Sequence, residues 1–312
     1  MPTLRHFAAV LALLFSCIVI GTAYAGFDDG REALEKGDYA AALIELQPLA
    51  DQGHAGAQVL LGEMYLTGRG TAPDERQAME WFRKAAAQGE AIAQENLGVM
   101  YLGGRAGLPQ DDTKAVEWFR KAADQGYAPA QYNLGNMSLN GRGVAQNDAQ
   151  AVALYRRAAE QGYPPAEHNL GFSYFNGRGV SQDDRQAVEW YRKAAEQGFA
   201  ASENNLGVMY QSGRGGLPQD DGQAVQWYRN AADQGVPDAQ VNLGNMYRSG
   251  RGVPRDDVLA YMLFDLAAAS GDKTAADNRV SIAETLSLKQ IEKANELAKM
   301  WKPGSPLPTH SD

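Results

Sequence analysis

The chain has 312 residues, of which 44% are hydrophobic and 21% are charged, and its net charge is −9. This apolar content excludes wholesale disorder, which requires few apolar and many like-charged residues. The acidic balance opposes binding to nucleic acid or to anionic lipid, because both depend mostly on Lys and Arg side chains at phosphates.

The first 25 residues have the pattern of a secretory signal peptide. Arg5 lies in a short polar start, residues 7–20 form an apolar run, and Ala-Tyr-Ala at 23–25 fits the cleavage motif. We therefore predict cleavage after Ala25 and a periplasmic or secreted protein. The apolar run is too short for a membrane span, so we expect no membrane insertion after cleavage.

Cys17 is the single cysteine of the chain. Cleavage after Ala25 removes it, which leaves the mature protein without disulfides or cysteine-based sites. An alternative takes residues 14–17 as a lipobox, which would make Cys17 a lipid-bearing N-terminus. The bulky Phe15 inside that motif argues against the alternative.

A unit of 36 or 37 residues repeats six times along the mature chain. Its most regular feature is a Leu-Gly dipeptide, which begins at Leu61, Leu97, Leu134, Leu170, Leu206 and Leu243. A Gly-Arg-Gly loop and a segment of the type Ala-Val-Glu-Trp-Tyr follow in most copies. A fixed period of this length is typical of repeat architectures, and we predict two antiparallel helices per unit over residues 54–271.

The boundaries of the second helix are marked in every copy. Its predicted N-caps are Asp74, Asp111, Asn147, Asp183, Asp220 and Asp256. In four copies a Gln three residues later predicts a capping box, at Gln77, Gln150, Gln186 and Gln223. A glycine ends the helix in each copy, where it adopts the left-handed conformation without a Cβ penalty.

The glycine of each Leu-Gly pair lies inside a helix, where it costs about 1 kcal/mol relative to Ala. Its presence in all six copies predicts a close helix–helix contact in which no side chain fits. The Trp, Phe and Tyr residues of the second helices are expected to fill the core around it. Residues 26–53 are predicted to form an N-terminal half-repeat cap, residues 272–301 C-terminal capping helices, and residues 302–312 a flexible tail.

The repeat pattern resembles that of the Sel1-like repeat family, relatives of the tetratricopeptide arrays. The resemblance rests on Ala-x-x-x-Leu-Gly-x-Met-Tyr, Gly-Arg-Gly-Val and Ala-Val-Glu-Trp-Tyr-Arg-Lys-Ala-Ala-Glu-Gln-Gly, and it spans nearly the whole mature chain. It implies an all-α fold, a right-handed α-α superhelical solenoid of about six full repeats with capping helices at both ends. It also implies a role as an adaptor or binding surface, although family members have diverse roles.

The sequence contains no constellation that indicates catalysis, and we expect no enzyme, no cofactor and no metal. His168 is the one histidine within a repeat helix, and Asp-Asp pairs such as Asp183-Asp184 recur at helix N-caps. The arginines of the Gly-Arg-Gly loops could form an anion-binding ladder, but their presence in every unit first indicates a requirement of the fold. Some proteins with this fold have been discussed as penicillin-binding or β-lactamase-like; those are cysteine-rich, which this chain is not.

Partner binding is expected where the repeats differ. Positions 2, 6 and 10 of the first helices, counted from the small residue that opens the buried stripe, share one face with almost no charge. Charge-poor surfaces with isolated aromatics are typical of interface centres. We predict a partner-binding site on a concave face, with Tyr132, His168 and Phe172 as anchors and Asn136 and Asn176 as hydrogen-bonding residues; burial between neighbouring helices is the alternative.

A second polar row lies at position 3, where five copies carry Asn: Asn96, Asn133, Asn169, Asn205 and Asn242. Such a row could hold an extended peptide backbone, but its place beside the buried stripe favours bonding to the adjacent repeat. The sequence thus predicts an adaptor or regulator that binds protein partners of unknown identity in the cell envelope, or a secreted host-interaction factor. The alternative is a carbohydrate-associated scaffold for polysaccharide export or the cell wall.

Overall fold

The structure, a computed structural model, describes residues 26–310. Within this range the chain forms sixteen helices and no strand, which confirms the prediction of an all-α repeat fold. The chain divides into two compact units, one ending at Gln146 and the other beginning at Asn147. The predicted signal peptide, with Cys17, lies outside the described residues.

The first unit contains seven helices, and from the second onward each packs against the next in chain order. Their bounds are α1 over the described residues 26–35, α2 Tyr39–Asp51, α3 Ala55–Thr67, α4 Glu75–Ala87, α5 Ala91–Gly103, α6 Asp112–Asp124 and α7 Ala128–Asn140. Helices α3, α5 and α7 are the first helices of repeats one to three, and α4 and α6 are second helices.

The second unit contains the remaining nine helices of the described residues, and neighbours in the chain pack together from α8 to α15. Their bounds are α8 Asp148–Ala159, α9 Pro164–Asn176, α10 Asp184–Glu196, α11 Ala200–Ser212, α12 Asp221–Asp233, α13 Pro237–Ser249, α14 Asp257–Ala269, α15 Lys273–Ala283 and α16 Leu288–Met300. Both α15 and α16 pack on α14, which is the last repeat helix and is strongly apolar. The two C-terminal helices therefore cover its apolar surface.

The predicted N-caps of the second helices are confirmed in all six repeats. Each cap side chain accepts a hydrogen bond from a backbone N–H of the first turn, as Asp74 Oδ1 does from Gln77 N at 3.1 Å. The reciprocal half of the predicted capping boxes is replaced by a different bond. The backbone N–H of Asp74 donates to the Tyr65 carbonyl of the first helix at 2.8 Å, and Asp183 bonds in the same way to Tyr174 at 2.9 Å. The cap therefore fastens the two helices of a repeat together.

The helix–helix contact predicted from the Leu-Gly dipeptide is present. A Cβ added to Gly98 would lie 2.5 Å from the nearest ring atom of Phe119, and at Gly171 it would lie 2.8 Å from Tyr191. These distances are shorter than any Cβ tolerates, so the glycine lets the aromatic ring of the second helix lie directly on the backbone of the first. Phe119 and Tyr191 are buried, as are the equivalent residues of the other repeats: Phe82, Tyr155, Tyr228 and Phe264.

The tryptophans that precede these rings differ from the expectation of full burial. Trp81 is buried, but Trp118, Trp190 and Trp227 are only partly buried. In three repeats the ammonium of a lysine lies over the indole, as Lys121 Nζ does 4.0 Å from the ring centroid of Trp118. These cation–π contacts stabilise an indole at the edge of the core, because one face of the ring contacts the lysine ammonium.

The expectation of a flexible tail at residues 302–312 needs correction over its described part. The backbone N–H of Leu307 donates to Asp233 Oδ1 at 2.8 Å, and Arg229 Nη1 donates to the Leu307 carbonyl at 3.2 Å. Leu307 is buried and joins the core of the second unit. Burial of its apolar side chain and the bonds of its main chain to two side chains of α12 hold the segment, which its proline content alone did not indicate.

The second glycine of each Gly-Arg-Gly loop approaches the start of the preceding second helix. Gly143 has φ +63°, and a Cβ there would lie 2.2 Å from the carbonyl oxygen of Asp112. The equivalent distances at Gly179 and Gly252 are both 2.3 Å, measured to Asp148 and Asp221. Left-handed backbone and missing space both require glycine at this point.

We expect Gly143→Ala to destabilise the protein far more than Gly126→Ala. Gly126 also has positive φ but has no atom within 4 Å of an added Cβ. Its replacement costs only the left-handed conformation, about 1–2 kcal/mol. Gly143→Ala adds overpacking of about 1–3 kcal/mol. Urea unfolding followed by circular dichroism measures both, and equal losses would contradict the close approach.

Candidate functional site

The predicted partner-binding residues fall on two helices in different units. Tyr132 and Asn136 lie on α7 in the first unit, where both are partly buried and already interact with other residues of the chain. His168, Phe172 and Asn176 lie on α9 in the second unit. The expected joining of the two groups into one site stays a prediction, and the geometry below concerns the second unit.

His168 is engaged within its own unit. Its Nδ1 lies 2.9 Å from Ser202 Oγ on α11, and its ring centroid lies 5.7 Å from that of Tyr191 and 5.3 Å from that of Phe199. Burial lowers the pKa of His168 to about 4, because the charged imidazolium loses its hydration. The side chain is therefore neutral at physiological pH and joins repeats four and five, which favours packing over partner contact.

Phe172 is the exposed member of the predicted set. Its side chain is 49% exposed on α9, and its ring helps to line a cavity of about 110 Å³. The cavity lies between the first helices of repeats four and five, with a ring from α10 also lining it. Its lining consists of Phe172, Phe175, Tyr191, Asn205, Val208 and Met209. This lining is apolar apart from the Asn205 amide and the Tyr191 hydroxyl, which bond to each other.

Phe175 belongs to this site and was missed from the sequence. It lies at position 9 of its helix, outside the face formed by positions 2, 6 and 10. The signal was present, because the three preceding repeats have leucine at this position and only the fourth has an aromatic residue. The guanidinium carbon of Arg214 lies 4.4 Å from the Phe175 ring centroid, and this cation–π contact fixes one wall of the cavity.

Asn176 and the asparagines of position 3 make internal hydrogen bonds. Asn176 is exposed, and its Nδ2 donates to the Phe172 carbonyl within α9 at 2.9 Å. Asn133 Nδ2 donates to Glu95 Oε1 at 2.8 Å, and Asn242 Nδ2 donates to Asn204 Oδ1 at 3.0 Å. The last two bonds join successive repeats, which confirms the favoured interpretation at these positions over a peptide-binding row.

Glu95 shares the uncharged face in the first unit. Burial raises the pKa of Glu95 to about 7, and the hydrogen bond from Asn133 opposes the shift. A carboxyl group in this state exists in both forms near neutral pH. It sits at position 2 of α5, where most other repeats have neutral residues.

From the second repeat onward, the loop arginines face acidic residues of the preceding repeat, whereas Arg69 in the first loop lies over the Tyr39 ring. Arg142 Nε donates to Asp112 Oδ2 at 2.9 Å, and its Nη2 donates to Asp112 Oδ1 at 2.8 Å. The same pairing, to an acid thirty residues earlier, joins Arg105 to Glu75, Arg178 to Asp148, Arg214 to Asp184 and Arg251 to Asp221. Since these carboxylates occupy the guanidinium forks, an external anion would have to displace them, which disfavours an anion-binding ladder.

The Asp-Asp pairs divide two structural tasks. The first Asp caps its helix, and the second pairs with the loop arginine of the next repeat, as Asp183 and Asp184 do. Among residues 26–310, no cluster of three or more His, Cys, Asp or Glu side chains is arranged to hold a metal ion. In the same part of the chain, no helix has the length and apolar character needed to cross a membrane.

Comparison with protein-family models finds six matches to the Sel1 repeat, at residues 55–90, 91–127, 128–163, 164–199, 200–236 and 237–272. Among solved structures, the chain is similar to a Sel1 repeat protein from Oxalobacter formigenes. The two share 32% identity with a TM-score of 0.71, over 79% of this chain and 96% of that chain. A comparison with curated proteins found no match.

Two further solved structures are similar to the chain at lower identity. A protective antigen of uropathogenic Escherichia coli with an SLR fold has 26% identity and a TM-score of 0.35, with 93% of both chains covered. The immunity protein Pa5087 from Pseudomonas aeruginosa has 22% identity and a TM-score of 0.46, with 72% of this chain and 83% of that chain covered.

We expect His168 to titrate near pH 4 in the folded protein, where it loses stabilising contacts on protonation. Because its folded pKa lies below the ordinary value of 6.5, its contribution is present above about pH 6.5 and is lost as pH falls toward 4. A shift of this size corresponds to about 3 kcal/mol. The imidazole resonances followed by NMR report the midpoint directly. Ser202→Ala is the control: burial causes the shift, so the midpoint stays low, and a wild-type midpoint near 6.5 would contradict the packing.

Proposed function

The chain belongs to the Sel1 repeat family, and from this premise we propose that it is an exported adaptor that binds a protein partner through the face beside Phe172. Sel1 repeat proteins mediate protein–protein interactions. In this chain the repeated positions serve the fold, so a specific partner is recognised by positions that differ between repeats.

The exposed ring of Phe172 carries the proposal. Phe172 is the aromatic residue among the exposed large apolar side chains of the described residues; the others are Ile44, Ile92, Val280, Leu288 and Met300. It stands beside a cavity in which Val208 of the next repeat occupies the equivalent position. A ring at the rim of an uncharged cavity has the character of a binding hot spot, because the partner buries apolar area without desolvating a charge.

Export is the second part of the proposal. Its support is the polar start, apolar run and Ala-Tyr-Ala motif of residues 1–25. Cleavage after Ala25 leaves 28 basic and 38 acidic residues. An acidic, cysteine-free protein of this kind binds its partner outside the cytoplasm through apolar and hydrogen-bonding contacts, without help from disulfides.

We expect Phe172→Ala to weaken partner binding at least about tenfold, since truncation of an aromatic hot spot costs about 2 kcal/mol or more. The measurement is affinity capture from envelope extracts and culture medium on immobilised mature protein, followed by titration of the captured protein. Ile44→Ala is the matched control, because it removes a side chain that is 71% exposed on α2, in the other unit. Circular dichroism establishes that both variants are folded.

Equal binding by wild type and Phe172→Ala would exclude this face as the docking site. Retention on polysaccharide, lost in Phe172→Ala and without any captured protein, would favour the carbohydrate-associated scaffold, because an exposed ring also stacks on sugars.

A further inference from the structure

A buried glutamine near the start of the first helices joins successive elements of the stack. Gln58 Nε2 donates to the carbonyl of Ala50 at 3.0 Å, and Gln94 Nε2 donates to the carbonyl of Ala86 at 3.4 Å. Gln131 makes the same bond to Ala123 at 3.3 Å. Each acceptor lies near the C-terminal end of the preceding helix, eight residues earlier. The glutamine side chain thus donates to a helix end that has spare acceptor capacity.

The other end of the same amide accepts a hydrogen bond. Gln88 Nε2, at the end of the second helix of repeat one, donates to Gln58 Oε1 at 2.9 Å. Gln125 Nε2 donates to Gln94 Oε1 at 2.8 Å in repeat two. The buried position therefore needs an acceptor on one side and a donor on the other, which an amide supplies.

Repeats four and five have glutamate at this position, while the other four repeats have glutamine. Glu167 and Glu203 are only 3% and 5% exposed. Glu167 Oε2 accepts from Gln197 Nε2 at 2.8 Å, and Glu203 Oε2 accepts from Gln234 Nε2 at 2.8 Å. One carboxyl oxygen thus takes the role of the amide oxygen, while the amide N–H that the glutamines donate has no counterpart in an ionised glutamate. An ionised carboxylate has no hydrogen to donate.

The surroundings disfavour the ionised form of both groups. The carbonyls equivalent to those that the glutamines reach, eight residues earlier in the chain, belong here to Ala159 and Ala195, at the negative ends of the α8 and α10 dipoles. Burial raises the pKa of Glu167 and of Glu203. The Lys193 ammonium on α10 opposes the shift at Glu167, whereas the Asp233 carboxylate on α12 adds to it at Glu203.

We propose that Glu167 and Glu203 are a pH-responsive pair that fastens α9 to α8 and α11 to α10 when protonated and loosens both contacts when ionised. In the protonated form each carboxyl donates to the carbonyl that the glutamines reach in other repeats. Ionisation removes that donor and sets a buried negative charge against carbonyl oxygens. These two helix contacts are then tightest when the carboxyls are protonated, whereas the glutamine repeats do not respond to pH at this position.

The pair lies on the two helices that form the cavity beside Phe172. An effect of its ionisation on partner binding rests on the proposed function, whereas the packing change does not. Unfolding of the protein alone therefore tests the pair even if the face beside Phe172 binds nothing.

The test compares mature wild type with Glu167→Gln/Glu203→Gln by thermal unfolding from about pH 4 to about pH 8. The folded pKa values are raised, so the stabilisation from protonated carboxyls is complete below the unfolded pKa and is lost as pH rises. We expect similar midpoints at the acidic end and a growing lead of the variant by several degrees at higher pH. A constant difference across the range, or a variant less stable than wild type near pH 8, overturns the proposal.

The reciprocal variant places the same group in a repeat that lacks it. Gln94→Glu, in the first unit, is expected to acquire a midpoint that falls as pH rises. Gln77→Glu, at an exposed position of α4, is the matched control for added charge and should not show this loss. Amide hydrogen exchange in α9 and α11, corrected for intrinsic rates, should increase with pH in wild type only. A pH-independent Gln94→Glu variant, or equal exchange in wild type and the double variant, contradicts the mechanism.

Discussion

The packing of each helix pair within a unit depends on the contact between a glycine of its first helix and an aromatic ring of its second. In repeat two the ring of Phe119 lies where a Cβ of Gly98 would stand 2.5 Å away. The glycine costs about 1 kcal/mol of helix propensity, but burial of an aromatic side chain returns about 1.5–3 kcal/mol, so the contact is favourable overall. It also fixes the distance between the two helices, which decides where the caps, loops and faces of the repeat lie.

Once the helix pair is fixed, polar groups set the register between repeats. The loop arginines and their acidic partners are partly exposed, with Arg142 at 42% and Asp112 at 26%. Exposed ion pairs contribute less than about 1 kcal/mol to the free energy of unfolding. These pairs therefore orient successive repeats more than they stabilise the fold. The apolar core provides most of the stability, and the close approach of Gly143 to Asp112 makes the loop geometry intolerant of other residues. Recurrent charge in this chain is therefore a feature of the fold, and recognition falls to residues that do not recur.

The sequence predicted what repeats and failed where single contacts decide. The predicted N-caps are found in all six repeats, and the glycine contact is found in the five repeats whose two helices lie in one unit. The reciprocal capping bonds failed because the cap N–H of Asp74 bonds to the Tyr65 carbonyl, a partner in another helix. Periodicity places His168 on the open face, but in the structure its imidazole packs beside Tyr191 and Phe199 and bonds to Ser202 on α11. Phe175 contacts the loop residue Arg214, and Leu307 bonds to Asp233. Neither contact recurs in other repeats, so the repeat period does not predict it.

The exchange of Gln for Glu replaces one side-chain NH2 group by oxygen, a change that a repeat pattern does not register. Glutamine and glutamate have nearly the same shape, and the family pattern accepts both at this position. The hydrogen-bond inventory separates them, since the amide offers a donor that the carboxylate lacks. On a solvated surface water would supply the missing donor at almost no cost. Glu167 is 3% exposed, so water has little access to it. The missing hydrogen-bond donor is then supplied by protonation of the carboxyl group. Burial thereby converts a conservative substitution into a dependence on pH, and it does so on the two helices that line the cavity beside Phe172.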